Sequence, residues 1–129
     1  MAQKVEIAVN RLGETAMYMG KTAMSADFKV AFSCASPFLD AMGDVIVAWM
    51  LLWRAVVARP ALDKLTGDAK GEELKKLIDK NKNAAFYAGQ IKSAEYFIEA
   101  VLPVTLGRMN AIEAGSKAIV DIPEPSFGG

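Results

Sequence analysis

The chain has 129 residues, 53% of them apolar, with 15 Lys and Arg balancing 15 Asp and Glu. That is long and apolar enough for one domain with its own core, which excludes disorder, and zero net charge argues against a nucleic-acid surface. Without histidine and with Cys34 alone, zinc and Cys–His chemistry are excluded, no internal disulfide can form, and a reducing cytoplasm is the expected compartment.

From the start, Ala2-Gln3-Lys4-Val5-Glu6 is amphipathic and charged, unlike a secretory leader. The first helix is predicted from about Gln3 to Met24. Val5, Val9, Leu12, Ala16, Met19 and Ala23 recur at alternating steps of four and three, which draws one apolar seam along it. Lys4, Glu6, Arg11, Glu14 and Lys21 decorate the other sides. It begins without a capping residue, as expected of a segment that continues a longer chain.

The second helix carries the densest apolar stretch, nine consecutive residues from Val45 to Trp53. Nine is far short of the roughly 20 needed to cross a bilayer, so no membrane insertion is expected. Placed at 100° steps, Lys29, Ser33, Ser36, Asp40, Asp44 and Arg54 share a narrow polar stripe. Met42, Val45, Ile46, Trp49, Leu52, Trp53 and Val56 face the other way, as the expected core. Val47 and Leu51 interrupt the polar stripe between Asp44 and Arg54, and these two are the candidate interface. On this placement Trp49→Ala should cost roughly 3–5 kcal/mol of fold stability, as large core truncations do. Leu51→Asp should weaken association more than folding. Pro37 either starts this helix with Ser36 as its cap or kinks a longer helix begun near Ser25. The continuity of the stripe across Pro37 favours the kink.

Arg59 to Gly71, with Pro60, Gly67 and Gly71, reads as an inter-helix loop (59–71). The third helix is predicted from Glu72 to Leu102, with Leu74, Leu77, Ile78, Ala84, Ala88, Ile91, Ile98 and Leu102 inside and lysines outside. Pro103 ends it or bends it sharply. The fourth, from Val104 to Val120, is rich in small residues that permit close packing, and 121–129 is a tail. The whole is predicted as one all-α domain over 1–129, an antiparallel four-helix bundle with a Pro-kinked long second helix.

No catalytic constellation emerges. Asp40 and Asp44 stand four apart on one face, but a di-metal carboxylate bundle needs histidine, so they read as solvated or capping groups. Glu95 falls on the inward seam beside Asn81, where a partnerless carboxylate would be a candidate base; reaching water at the bundle edge is the plainer reading. Cys34 has no base or cation beside it and reads as a small packed residue. The glycines and lysine of Gly67-Asp68-Ala69-Lys70-Gly71 lack phosphate-loop spacing. No catalytic, cofactor-binding or metal residue is assigned.

Several stretches in order do carry a resemblance: Ser36-Pro37-Phe38-Leu39, then Gly43-Asp44 and the apolar Trp49 region, then Ala85-Phe86-Tyr87-Ala88, Leu102-Pro103, and the tail Pro125-Ser126-Phe127. Together, from about Val5 to Phe127, they resemble the C-terminal helical domain of the long, roughly 600-residue bacterial acyl-CoA dehydrogenases. These oxidise an acyl-CoA to the 2-enoyl-CoA with FAD, a carboxylate base removing the α-proton as hydride passes to the flavin. The resemblance implies that base, flavin and CoA pocket lie in a dehydrogenase core of the same parent chain, and that this segment holds no FAD of its own. It implies an accessory and dimerisation role, as part of a homo-oligomer. Its lysine-rich stretch from Lys75 to Lys82 departs from that pattern. The alternative, from a different class, is a free-standing helical-bundle interaction or dimerisation module.

Overall fold

A computed structural model describes residues 1–128, and among these every regular element is helical. Helix α1 spans Ala2–Ala23, α2 Phe28–Ser33 and α3 Ala35–Thr66; α4 spans Gly71–Lys80 and α5 Lys82–Tyr96. A π-helical turn, Phe97–Val101, joins α5 directly to α6, Leu102–Glu113, and a short 3₁₀ turn, Glu124–Phe127, follows in the tail. The first helix therefore lies where its periodicity predicts. The four-helix description does not hold, and each departure has a local cause.

Pro37 breaks the chain rather than kinking a continuous helix. It has no N–H to give the carbonyl of Ser33, and α2 ends at Ser33, with Cys34 the only residue between the two helices. Proline then sits in the first turn of α3, where an N–H would lack a helical partner anyway. The predicted 59–71 loop is mostly helix. Pro60 lies inside α3, and the helix runs on to Thr66 before Gly67, at φ 56°, ends it. Burial of Ala58, Leu62 and Thr66 on one face spans the proline and offsets the lost Pro60–Val56 bond.

The long third helix is interrupted where Asn81 caps α5, its side chain accepting from the Asn83 and Ala84 N–H groups at 3.0 and 3.2 Å. Pro103, in turn, does not stop the run. The π turn widens the ladder just ahead of it, with the Leu102 N–H donating five residues back to the Phe97 carbonyl, so α5 and α6 form one rod. The last helix stops at Glu113 rather than Val120 because Gly115 takes φ +61° against the Tyr18 hydroxyl, a position with no room for a Cβ.

Three rods make the body. Lys4 meets Glu99, Arg11 meets Asn110 and Thr15 meets Glu113, so α1 and the α5–α6 rod run the same way. Asp44 meets Thr105 while Trp53 and Val57 lie beside Phe86, so α3 runs against that rod. Helix α3 packs on α5, α6 and α1 and is the central element. Its buried positions are Ala41, Val45, Ala48, Ala55, Ala58, Leu62 and Thr66. Four of those seven are alanine, so the neighbouring rods can lie close against it, and the bulk of the core comes from them. Ile98, Leu102, Met109 and Ile112 are the largest fully buried side chains of the α5–α6 rod.

Of the expected inside of α3, Val45 is buried and Leu52 packs against the core, but Ile46, Trp49, Trp53 and Val56 are turned outward. Trp49 and Trp53 are 53% and 57% exposed, not core. Both sides of α3 are apolar; the inner side is mostly alanine with Val45 and Leu62, and the two tryptophans stand on the outer side. On α1 the buried face is likewise turned from the expected seam: Val5, Ala8 and Thr15 are buried, while Val9 is half exposed.

Candidate interaction surface

The outward side of α3 is the exposed apolar feature of this fold. Leu39, Ile46, Trp49, Trp53, Val56 and Val57 lie there, each at least half exposed. On a helical projection they fall within one arc away from Ala41, Ala48 and Ala55, and no charged residue between Leu39 and Val57 lies inside it; Lys64, further along α3, does. Trp49 and Trp53, one turn apart, stack at 6.2 Å with 28° between their planes. Beside them, Met50, Trp53, Val57 and Ala58 join Phe86 and Tyr87 of α5 in an open groove of about 370 Å³. Arg54 and Gln90 are its polar lining, and Arg54 has no acidic partner within 4 Å among the described residues.

The two residues expected to form the interface are placed unequally. Val47 is 43% exposed but lies off this side, in the polar stripe between Asp40 and Arg54. Leu51 is partly buried and packs against the core cluster. A charge at Leu51 should therefore damage folding as well as association. The tryptophans, assigned to the core from sequence, are the surface residues that reasoning missed. The available signal was the alanine spacing 41, 48, 55 and 58 along the same helix, which marks where backbones approach.

Polar groups lie apart from this face. Asp44 Oδ2 accepts from Thr105 Oγ1 at 2.7 Å and from Arg108 Nη1 at 3.1 Å, pinning α3 to α6. Asp40 is exposed, so the i, i+4 carboxylates divide into one structural tie and one free group. Glu95 is not partnerless, since Lys92 donates to it at 2.6 Å, and Asn81 is an exposed cap rather than its buried neighbour. Cys34 is half-buried at the α2–α3 junction. Among the described residues no three His, Cys, Asp or Glu side chains converge as a metal site.

The main polar cluster joins α1 to α6. Thr15, fully buried, donates to Glu113 Oε1 at 2.6 Å, and Arg11 donates to Glu113 Oε2 and Asn110 Oδ1 at 2.9 Å each and to Glu14 at 2.6 Å. The Thr15 hydrogen bond, then Arg11, holds the Glu113 carboxyl below the usual carboxylate range, against an opposing effect of burial. A lowered folded-state pKa means the unfolded chain binds the proton first. The contribution is whole above about pH 4.3 and is lost as pH falls through the lowered value. Glu113→Gln should thus be less stable than the parent at neutral pH, and the gap should close in thermal melts taken down to about pH 3. An unchanged gap across that range would show the carboxylate contributes nothing through its charge.

By length and composition alone α3 also qualifies as a membrane-crossing helix, its best window having a mean hydropathy of 1.6 and being 28% buried. The nine-residue run therefore understates the helix. What binds α3 in this fold is protein: α1, α5 and α6 cover its alanine side.

A family model described as acetyl-CoA dehydrogenase C-terminal like matches residues 1–123. The chain is also 31% identical, over 91 residues, to the broad-specificity linear acyl-CoA dehydrogenase FadE5 of Mycobacterium tuberculosis. That match covers 70% of this chain but spans only 13% of the relative's length. No solved structure matches the chain.

Proposed function

Because the chain belongs to the acetyl-CoA dehydrogenase C-terminal-like family, we propose that it is the helical accessory and dimerisation domain of an FAD-dependent acyl-CoA dehydrogenase in the cytoplasm. The observation that carries this reading is the outward side of α3, where two stacked tryptophans and their aliphatic neighbours stand in water. Monomeric proteins rarely expose contiguous apolar patches beyond about 300–600 Å², and larger ones mark interaction sites. A domain that contributes assembly rather than chemistry needs such a face.

The reaction expected of the parent enzyme, acyl-CoA to 2-enoyl-CoA, calls for a carboxylate base beside a flavin. The residues here do not fit a flavin. The α3–α5 groove offers a single cation, Arg54, and no glycine-rich turn faces it, whereas a dinucleotide pyrophosphate needs converging N–H donors. Glu113 and Asp44, the carboxylates most firmly held, are tied into helix–helix contacts. The base, FAD and CoA sites accordingly belong to a dehydrogenase core in the same parent chain, and no catalytic step is assigned to this segment. The match to a dehydrogenase favours this over a free-standing interaction module.

The test is direct. The purified chain should be colourless, and titration with FAD should produce no change in flavin fluorescence. Stoichiometric flavin in the purified protein would overturn the placement of the active site.

A further inference from the structure

We infer that the groove between α3 and α5 binds a small aromatic monocarboxylate, its acid group held by Arg54 and Gln90 and its ring lying among Trp53, Phe86 and Tyr87. This goes beyond the accessory role proposed above and does not depend on it.

The charge of the ligand follows from the groove's one cation. Arg11 and Arg108 are each paired with carboxylates of the fold, whereas Arg54 has no acidic partner among the described residues. A planar guanidinium takes a carboxylate through two parallel N–H···O bonds. The half-buried Gln90 adds a neutral amide donor from α5. Gln90 stands one turn along α5 from Phe86, Arg54 stands one turn along α3 from Ala58, and the two helices run opposite ways. Amide and guanidinium therefore come to the same level of the groove, with Val57, Ala58 and Phe86 as the apolar stretch beside them. One cation balances one negative charge. A phosphate dianion or a pyrophosphate would keep unpaired charge against an apolar wall, which is costly.

The body of the ligand follows from the walls. The groove's volume of about 370 Å³ lies at the small end of the roughly 300–1,000 Å³ typical of small-molecule sites. From Met50 to Ala58 it runs about 12 Å at 1.5 Å per residue. Phe86 and Tyr87 meet edge to face at 5.6 Å, Trp53 supplies a third ring, and Met50 a thioether, all groups that pack well on an aromatic guest. The groove is open along its length, so a flexible chain would lose rotamer freedom there against few contacts. A planar ring system has no such freedom to lose.

Isothermal titration calorimetry with 2-naphthoate tests the site, with 2-naphthalenemethanol as the uncharged counterpart and decanoate as the flexible one. The parent should bind naphthoate saturably, about tenfold more tightly than either control. Arg54→Gln should weaken naphthoate about tenfold and leave naphthalenemethanol unchanged. Val57 is 62% exposed, so Val57→Glu should keep the parent's circular dichroism while its like charge abolishes naphthoate binding. A folded parent that takes up no naphthoate at millimolar concentration would overturn the site and leave the flavin-free accessory role standing. Naphthoate affinity unchanged by Arg54→Gln would overturn the seat of the acid group. Decanoate bound as tightly as naphthoate would overturn the choice of an aromatic body.

Discussion

Replacing Ile98 with alanine is expected to lower the stability of the folded chain by about 2–5 kcal/mol, the largest single effect on the fold. Ile98 has no exposed surface and sits in the π turn that joins α5 to α6. There it packs into the core cluster beside Ala94 and Leu102. The alanines of α3 have little side chain with which to fill a void, so the cavity left by truncation would stay open, and the cost should lie toward the upper end. Ile98→Val supplies the graded control at about 0.5–1.5 kcal/mol. Thermal melts of both variants give the comparison. A loss below about 1 kcal/mol for the alanine variant would mean the core is looser than its burial indicates.

Trp53→Ala should do the opposite, leaving the fold almost untouched and removing assembly. The side chain is 57% exposed and its ring contact is with Trp49, itself exposed, so the folding cost should stay below roughly 1–1.5 kcal/mol. Centrally placed aromatic residues dominate interfaces, and losing one costs 2 kcal/mol or more, which is roughly 30-fold in affinity. Sedimentation and melting of the same protein separate the two effects. Trp49→Ala belongs with Trp53→Ala here, which reverses the expectation drawn from sequence.

Why that expectation reversed is instructive. The helical class, the extent of α1 and the family resemblance were all legible, because apolar spacing and the order of turn residues survive any choice of inward face. The inward face of α3 was not. Angular placement separates apolar from polar, but α3 is apolar on both sides, and the deciding quantity is side-chain size. Alanines at 41, 48, 55 and 58 let α1, α5 and α6 close in, and the two tryptophans are left outside. Prolines misled for a related reason. Pro60 and Pro103 sit in helices that continue, one held by burial on either side of it and the other accommodated by a π turn. Pro37 coincides with a full break, because α2 leaves α3 to pack on α1. Asn81 was legible as a cap residue by type, yet a continuous apolar pattern across it read as one helix. Val47 and Leu51 were drawn to the right helix but not to the centre of its exposed side.

The protein has two tryptophans, Trp49 and Trp53, and both lie on the outward side of α3. Tryptophan fluorescence therefore reports on that face alone. Emission and acrylamide quenching should be followed from nanomolar to high micromolar protein. If this face is the assembly surface, emission should shift to the blue and quenching should fall as concentration rises. Indoles that stay equally quenchable at every concentration, in a protein that remains folded, would contradict it.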